Sequence, residues 1–153
     1  MCITPLTLQE CTQAASLHQA AFYKGWTEKD FRDFIEDPLV FSLKIQQSGN
    51  FCGYILWREI EDEAEILTLV IAPSFQRKGM GNLLLTSLFE RLKSKGISKL
   101  FLEVAEDNKS ARSFYIKNGF TIVGKRPNYY ERAENKLVDA LNLFKILSKK
   151  NWA

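Results

Sequence analysis

The sequence has no long apolar run and no strong charge of either sign, and both absences narrow the class of protein. No stretch of about 18 apolar residues is present, so no membrane-spanning helix is expected. The first residues contain no basic cluster followed by an apolar core, which predicts no secretory signal peptide. The net charge is +3, too small to indicate a nucleic-acid-binding surface. We therefore expect a cytoplasmic protein that binds neither membranes nor nucleic acid.

Cysteine and histidine are also scarce. Cys2, Cys11 and Cys52 form no metal-binding spacing and leave an odd count, so no metal is expected and a reducing cytoplasm fits. His18, the only histidine, follows Cys11 by seven residues on the same face of a predicted helix. A thiol nucleophile is conceivable there, but a core cysteine beside a half-buried histidine is the more common arrangement.

Length and periodicity indicate a single domain, residues 1–153, of the mixed α/β (α+β) class. A chain of 153 residues is long enough to bury about two thirds of its surface. No repeat, linker or low-complexity segment interrupts it. The pattern of apolar residues predicts one mixed, mostly antiparallel sheet flanked by helices.

The predicted elements alternate between strands and helices. Thr7 opens a capping box with Glu10 that begins a first helix, and Thr27 caps a second. Strands are predicted at residues 3–6, 40–46, 51–58, 65–71, 100–104, 120–124 and 137–147. A loop over residues 126–136 is predicted to join the last two strands.

The segment Gln76-Arg77-Lys78-Gly79-Met80-Gly81 lies between an apolar strand and a helix. The first amides of a helix lack internal partners, and the helix dipole adds partial positive charge there. Glycine allows a phosphate to approach the backbone closely, and Arg77 and Lys78 supply full charges. We interpret the segment as a pyrophosphate-binding loop. The helix behind it is predicted from leucines at helical spacing, namely Leu84, Leu85, Leu88 and Leu92.

Three other interpretations of this loop compete. A dinucleotide-binding fingerprint requires a third glycine, but Leu84 stands at that position, and the loop is long for the tight turn of that motif. A phosphate-binding P-loop requires Gly-Lys followed by Ser or Thr, which is absent. An ordinary glycine-containing loop remains open on these residues alone.

The surrounding residues resemble a known family. The segment from Gln76 to Gly81 looks like the Q/R-x-x-G-x-G/A signature of GCN5-related N-acetyltransferases (GNAT). The segments that follow it match, in order and spacing, the RimI-type N-terminal alanine acetyltransferases, a branch of that family. They are Leu102-Glu103-Val104, Asn108, Tyr115, Asn118-Gly119-Phe120 and Asn128-Tyr129-Tyr130. The resemblance is close over residues 64–130 and weaker over residues 22–31.

The resemblance implies acetyl-CoA as co-substrate, a fold whose two central strands splay apart, and residues that bind the co-substrate. The backbone of Leu69, Val70 and Ile71 is expected to bind the pantetheine and acetyl end. Asn108 is expected on the pantetheine arm. The pyrophosphate is expected against Arg77, Lys78, Gly79, Met80, Gly81 and Asn82.

Two residues are candidates for acid–base chemistry. Glu103 is a carboxylate on a mostly apolar strand, and unpaired burial of a carboxylate is unfavourable, so a role as general base is predicted. An ion pair with Lys or Arg at the strand end is the structural alternative. Tyr115 is expected, from the resemblance, to return a proton to the thiolate that leaves. Without the resemblance, a core aromatic beside Phe114 would be the better interpretation.

The acceptor side is less well defined. Trp26, Tyr129 and Tyr130 fit a wall that packs a short peptide and bonds its backbone, although core packing is an equal alternative for Trp26. Lys24-Gly25-Trp26 replaces the usual Phe-Pro-Trp of the branch, and residues 131–140 replace its glycine-containing acidic loop.

The predicted function is transfer of acetyl to a protein N-terminus, with an N-terminal alanine of a small-subunit ribosomal protein as the implied acceptor. Two alternatives stay open. One is an acetyltransferase acting on a lysine or a small amine. The other is a non-catalytic module that binds coenzyme A.

Overall fold

A computed structural model describes residues 1–147, so the last six residues of the expected domain lie outside it. Within this range one sheet has seven strands in the order β1-β2-β3-β4-β5-β7-β6. The strands are β1 Cys2–Thr4, β2 Val40–Gln47, β3 Asn50–Ile60, β4 Glu63–Ile71, β5 Lys99–Ala105, β6 Thr121–Glu131 and β7 Leu137–Ile146. The helices are α1 Cys11–Ala21, α2 Glu28–Glu36, α3 Met80–Ser94 and α4 Lys109–Lys117.

Only β4 and β5 run parallel among the strand pairs of the described sheet. Helix α3 connects them, because parallel neighbours need a crossover and not a tight turn. The predicted mixed, mostly antiparallel sheet flanked by helices is therefore confirmed.

Each face of the sheet carries its own apolar core. The four predicted leucines of α3 are fully buried against one face, together with residues of α4. Helices α1 and α2 cover the other face through Cys11, Ala14, Ala15 and Phe31. Burying one leucine side chain stabilises the fold by about 2 kcal/mol, so α3 is firmly anchored behind the loop at its start.

The capping box predicted at Thr7 and the helix cap predicted at Thr27 are present, and Thr27 also forms a capping box with Asp30. The first opens a 3₁₀ turn, Leu8–Glu10, which leads into α1. Leu8 and Phe22 lie at helical spacing from buried residues of α1, but both side chains are exposed. The 3₁₀ turn changes the facing of Leu8, and Phe22 is extended because α1 ends at Ala21.

A β-bulge in β4 determines which residues face which core. Leu56 pairs with Thr68 and Trp57 pairs with Ile66, so Leu67 is an extra residue without a partner on β3. A bulge breaks the strict alternation of side chains along a strand. Ile66 therefore packs in the core under α3, whereas Val70 packs in the core under α1.

The predicted loop over residues 126–136 is wrong in its first half, because β6 continues to Glu131. Pro127 and Asn128 indicate a turn in the sequence, but β6 is an edge strand and tolerates them. The pairing register breaks between Arg126 and Tyr130, and Asn128 adopts a positive φ of 51°. Its N–H donates to Asp139 on β7 at 2.8 Å, which keeps the irregular strand attached.

Candidate functional site

The central parallel strands separate and open a cleft. Pairing between β4 and β5 ends at Ile66 and Leu102, although both strands continue beyond these residues. The bulge at Leu67 lies at this point. A cleft of about 820 Å³ begins here and extends to the α1–α2 loop and the end of β6. The splayed strand pair expected near Leu69 and Glu103 is therefore present.

Beyond Ile66, β4 has no partner on its β5 side within the described residues. Leu69 lines the cleft, while Val70 and Ile71 pair with Tyr54 and Gly53 of β3. Backbone groups of β4 that point away from β3 therefore have no strand partner and open into the space between the strands.

The loop in front of α3 has the backbone conformation that an anion site requires. Gly79 caps the helix with φ 79°, a left-handed conformation that glycine adopts without strain. Arg77 also has a positive φ, of 62°, and both Arg77 and Lys78 are exposed. Gln76 donates its side-chain N–H to the carbonyl of Ile71 at 3.0 Å, which joins the loop to the end of β4. Positive side chains and unpaired helix amides thus lie together.

The other three residues of the predicted loop site have different structural surroundings. Met80 is buried in the core, so only its backbone can contact an anion. A Cβ on Gly81 would lie 3.3 Å from the ring of Phe114, so this glycine allows α3 and α4 to pack closely. Asn82 accepts a hydrogen bond from Asn118 at 3.1 Å.

Asn108 serves as the N-cap of α4. Its Oδ1 accepts from the N–H of Ala111 at 3.2 Å, and the residue also lines the cleft. The side-chain oxygen is therefore occupied, and the amide nitrogen is the group left for a ligand.

Glu103 lines the cleft from β5 and is paired with a cation. Arg126 Nη2 donates to Glu103 Oε1 at 2.8 Å, so the ion pair considered as an alternative from the sequence is present. The other oxygen, Oε2, is shielded from solvent and has no hydrogen-bond partner among the described residues. One carboxylate oxygen is thus fixed by Arg126, and the second is buried without a partner.

Tyr115 lines the cleft from α4 and is almost fully buried. Its ring packs edge-on against Phe114 and Phe120, as the core-aromatic interpretation describes, and its role as an acid stays a prediction. Burial raises the pKa of the Tyr115 phenol, with a smaller contribution from Tyr130. The hydroxyl therefore stays protonated at neutral pH and can act as a donor.

Trp26, Tyr129 and Tyr130 also line this cleft. The rings of Tyr129 and Tyr130 meet nearly at right angles, with centroids 5.1 Å apart. Burial, together with the charge of Glu103, raises the pKa of Tyr130 to about 12. Trp26 is half-buried and stacks on His18 with ring centroids 4.4 Å apart, so it is packed on one side, and its contact with a peptide stays a prediction.

His18 and Cys11 do not form a nucleophilic pair. Both ring nitrogens of His18 are engaged elsewhere, by the N–H of Trp26 and the hydroxyl of Thr68. Burial raises the pKa of the Cys11 thiol, and Cys11 does not line the cleft. The interpretation of Cys11 as a core cysteine is consistent with this geometry.

Charged residues that sequence reasoning had noted only as departures close the end of the cleft. Lys24 of the α1–α2 loop pairs with Glu131 at the end of β6. Arg132 binds both oxygens of Asp107, through Nε at 3.1 Å and Nη2 at 2.7 Å. The partners are far apart in the sequence, 25 residues for Arg132 and Asp107, so the sequence gave no indication of these contacts.

Comparisons with known proteins agree with this architecture. The family model of the acetyltransferase (GNAT) family matches residues 11–120. The chain belongs to this family. Haemophilus influenzae [ribosomal protein bS18]-alanine N-acetyltransferase is 40% identical over 106 residues, which cover 67% of this chain and 72% of that protein. The Escherichia coli protein of the same name is 28% identical over 134 residues, covering 88% and 90%.

Solved structures give the same result. The GNAT chain superimposes on the ribosomal-protein-S18-alanine N-acetyltransferase from Escherichia coli with a TM-score of 0.89 and 26% identity, covering 99% of this chain and 98% of that one. Ard1 from Thermoplasma volcanium has the same fold, with a TM-score of 0.84 at 22% identity, covering 97% and 98%. The resemblance to the RimI-type branch is confirmed.

The protein is accordingly an acetyl-CoA-dependent N-acetyltransferase. Within residues 1–147, no group of histidine, cysteine, aspartate or glutamate side chains could hold a metal ion. No helix in this part of the chain has the length and apolar character needed to cross a membrane.

Proposed function

We propose that this enzyme acetylates the N-terminal amine of a protein, with an N-terminal alanine of a small-subunit ribosomal protein as the acceptor. One observation carries the proposal. Glu103, Tyr115 and the aromatic residues Trp26, Tyr129 and Tyr130 line a single cleft that opens where β4 and β5 separate. The relatives named for bS18 alanine support the choice of acceptor.

Acetyl-CoA fits the loop before α3, the end of β4 and Asn108, and it supplies a thioester whose carbonyl carbon is the electrophile. Arg77, Lys78 and the backbone from Gly79 to Asn82 would hold the pyrophosphate, because the left-handed Gly79 leaves the first amides of α3 exposed. Asn108 would contact the pantetheine arm through its amide nitrogen. The backbone of residues 69–71 would bind the acetyl end, where an N–H can stabilise negative charge on the carbonyl oxygen.

Glu103 is proposed as the general base. An amine attacks only after it loses a proton, and the unpartnered Oε2 can accept that proton from an amine in the cleft. Direct attack needs no enzyme nucleophile, which agrees with the engaged nitrogens of His18 and the core position of Cys11.

Tyr115 is proposed as the general acid. Its raised pKa keeps the phenol protonated, so a proton is present for the leaving group. A site with little water disfavours a free thiolate, which favours departure of the sulfur as the thiol. When the C–S bond breaks, the sulfur takes the Tyr115 proton and leaves as the thiol. The acceptor nitrogen, now bonded to the acetyl carbon, loses its second proton, which restores the Tyr115 phenol.

The acidity of the acceptor favours an N-terminus over a lysine. An α-amino group has a pKa of about 7.7 to 8.0, and a lysine amine about 10.4. At pH 7.4 roughly a quarter of N-termini are therefore neutral, against about one lysine in a thousand. A single carboxylate base therefore suffices for an N-terminal amine. For a lysine the same base must remove a proton that is held much more tightly.

The test is a matched pair of short peptides at equal concentration. One has a free N-terminal alanine and no lysine; the other is blocked at its N-terminus and contains one lysine. We expect acetylation of the first and none of the second, measured by mass spectrometry. Faster acetylation of the blocked peptide would overturn the N-terminal assignment in favour of a lysine acetyltransferase. Addition of a small polyamine as a third substrate distinguishes a small-amine acceptor.

A further inference from the structure

Arg126 joins the proposed base to the proposed acceptor wall. Its Nη2 donates to Glu103 Oε1 at 2.8 Å. The same guanidinium lies over the ring of Tyr129, with its carbon Cζ 4.4 Å from the ring centroid. A guanidinium stacked on an aromatic ring loses mobility and gains cation–π attraction, so Tyr129 holds Arg126 in one orientation.

The sheet allows only a long side chain to make this contact. Strand β7 lies between β5 and β6, so Arg126 is two strand spacings, or about 10 Å, from Ala105 at the backbone, and Glu103 lies two residues further along β5. Ala140 of β7 pairs with Arg126 on one side and with Ala105 on the other. This short alanine side chain leaves the path across β7 open.

The other basic residues of this region have carboxylates of their own. Lys125 pairs with Glu106 and Asp139, and Arg132 pairs with Asp107. Arg126 is the cation that contacts Glu103 in the described part of the chain.

We infer that Arg126 is the positioning residue of Glu103, and that the ring of Tyr129 fixes Arg126 for this task. The inference rests on the proposed role of Glu103 as base. Arg126 holds the carboxylate through Oε1, so the buried Oε2, which has no partner among the described residues, keeps one defined position beside the cleft. Tyr129 thereby affects the chemical step as well as the binding of the peptide.

The test compares Arg126→Gln, Arg126→Lys and the matched control Lys125→Gln, whose ion pairs do not involve Glu103. We expect Arg126→Gln to lower kcat by about tenfold to hundredfold, as for a misplaced catalytic group. The KM for acetyl-CoA should stay unchanged, which also shows that the variant is folded. Arg126→Lys should recover part of the kcat, and Lys125→Gln should behave as the wild type.

A double mutant separates this inference from the proposed function. In a Glu103→Gln background, Arg126→Gln should have no further effect on kcat, because both changes remove the same group from the reaction. A wild-type kcat for Glu103→Gln alone would show that Glu103 is not the base, and the proposed function would fail first. If Glu103→Gln is impaired but Arg126→Gln raises only the KM for the peptide, Arg126 binds the acceptor and the positioning role is overturned.

Substitutions at Tyr129 test the second contact. Tyr129→Phe keeps the ring under the guanidinium, whereas Tyr129→Leu removes it. We expect kcat to be several-fold higher in the Phe variant than in the Leu variant. Equal kcat values in the two variants would contradict a role of the ring in holding Arg126.

Discussion

The imidazole of His18 and the hydroxyl of Thr68 lie 3.1 Å apart and join α1 to the bulged strand β4. The N–H of Trp26 donates to His18 Nδ1 at 2.9 Å, so this nitrogen carries no proton. The Nε2 nitrogen is therefore protonated and donates to Thr68. Thr68 reaches this face of the sheet only because the bulge at Leu67 reverses the alternation. A neutral histidine thus connects the wall residue Trp26 to the strand that opens the cleft.

This contact predicts a loss of stability in acid. Burial lowers the pKa of His18 to about 4 from an ordinary value of 6.5. Between these values the unfolded chain binds a proton that the native state does not, so the free energy of unfolding falls as the pH falls through this window. At pH 5 the expected loss from His18 is about 2 kcal/mol.

Urea denaturation of the wild type and of His18→Gln at pH 7 and pH 5 measures this term. Glutamine keeps a donor and an acceptor but does not titrate in this range. We expect the loss of stability between the two pH values to be smaller in the variant by about 2 kcal/mol. The same loss of stability in both proteins would show that His18 does not cause the fall in the free energy of unfolding between pH 7 and pH 5.

A second prediction concerns the contact between β3 and α1. The buried hydroxyl of Tyr54 donates to the carbonyl of Ala14 at 2.7 Å. Tyr54→Phe leaves this carbonyl without a partner, and we expect a loss of about 1–2 kcal/mol in the free energy of unfolding. Tyr23→Phe is the control, because Tyr23 is exposed. Equal stability of the two variants would mean that water replaces the lost hydrogen bond.

Gly79 allows the loop conformation to be tested separately from global stability. Gly79 and Gly49 share φ 79°, and neither would bring a Cβ within 4 Å of another atom. An alanine at either position costs about 1 kcal/mol through backbone strain. Only Gly79→Ala should also weaken coenzyme A binding, as measured by calorimetry, because only Gly79 precedes α3. Equal affinities in both variants would remove this loop from the co-substrate site.

The base is tested by Glu103→Gln, with Glu106→Gln as the control outside the cleft. Loss of a general base lowers kcat by about 10²- to 10⁴-fold. The difference in kcat between Glu103→Gln and the wild type should become smaller as the pH rises past about 8, because more of the acceptor amine is then already neutral. Stopped assays of acetyl transfer between pH 7 and pH 9 give both quantities. A constant ratio of the two rates across this range would argue against proton removal by Glu103.

The sequence was informative where the signal is local. Leucines at helical spacing indicated α3, and Gly79 within its motif indicated the loop in front of it. Thr7 and Thr27 marked two helix starts because a cap involves groups no more than three positions apart in the sequence. Glu103 stood out as a carboxylate on a mostly apolar strand, whereas the choice of Tyr115 as an acid depended on the family resemblance.

The features that the sequence did not reveal depend on tertiary pairing. The bulge at Leu67 exists only relative to β3, and it decides that Thr68 meets His18. The ion pair between Arg126 and Glu103 needs β7 to insert between β5 and β6, although β7 follows both in the chain. Neither arrangement has a periodic pattern that a single sequence displays.

The irregular course of β6 has a consequence for self-association. A long, flat edge strand offers unpaired N–H and C=O groups on which a strand of another molecule can assemble. Pro127 has no N–H, and the amide of Asn128 is already bound to Asp139. The break in register after Arg126 makes this edge irregular, and Lys125 and Arg126 place positive charge on it. The opposite edge strand, β1, has only three residues. Both edges of the sheet are thus poor templates for aggregation. The sheet can therefore be open at its centre, between β4 and β5, without offering open edges to other molecules.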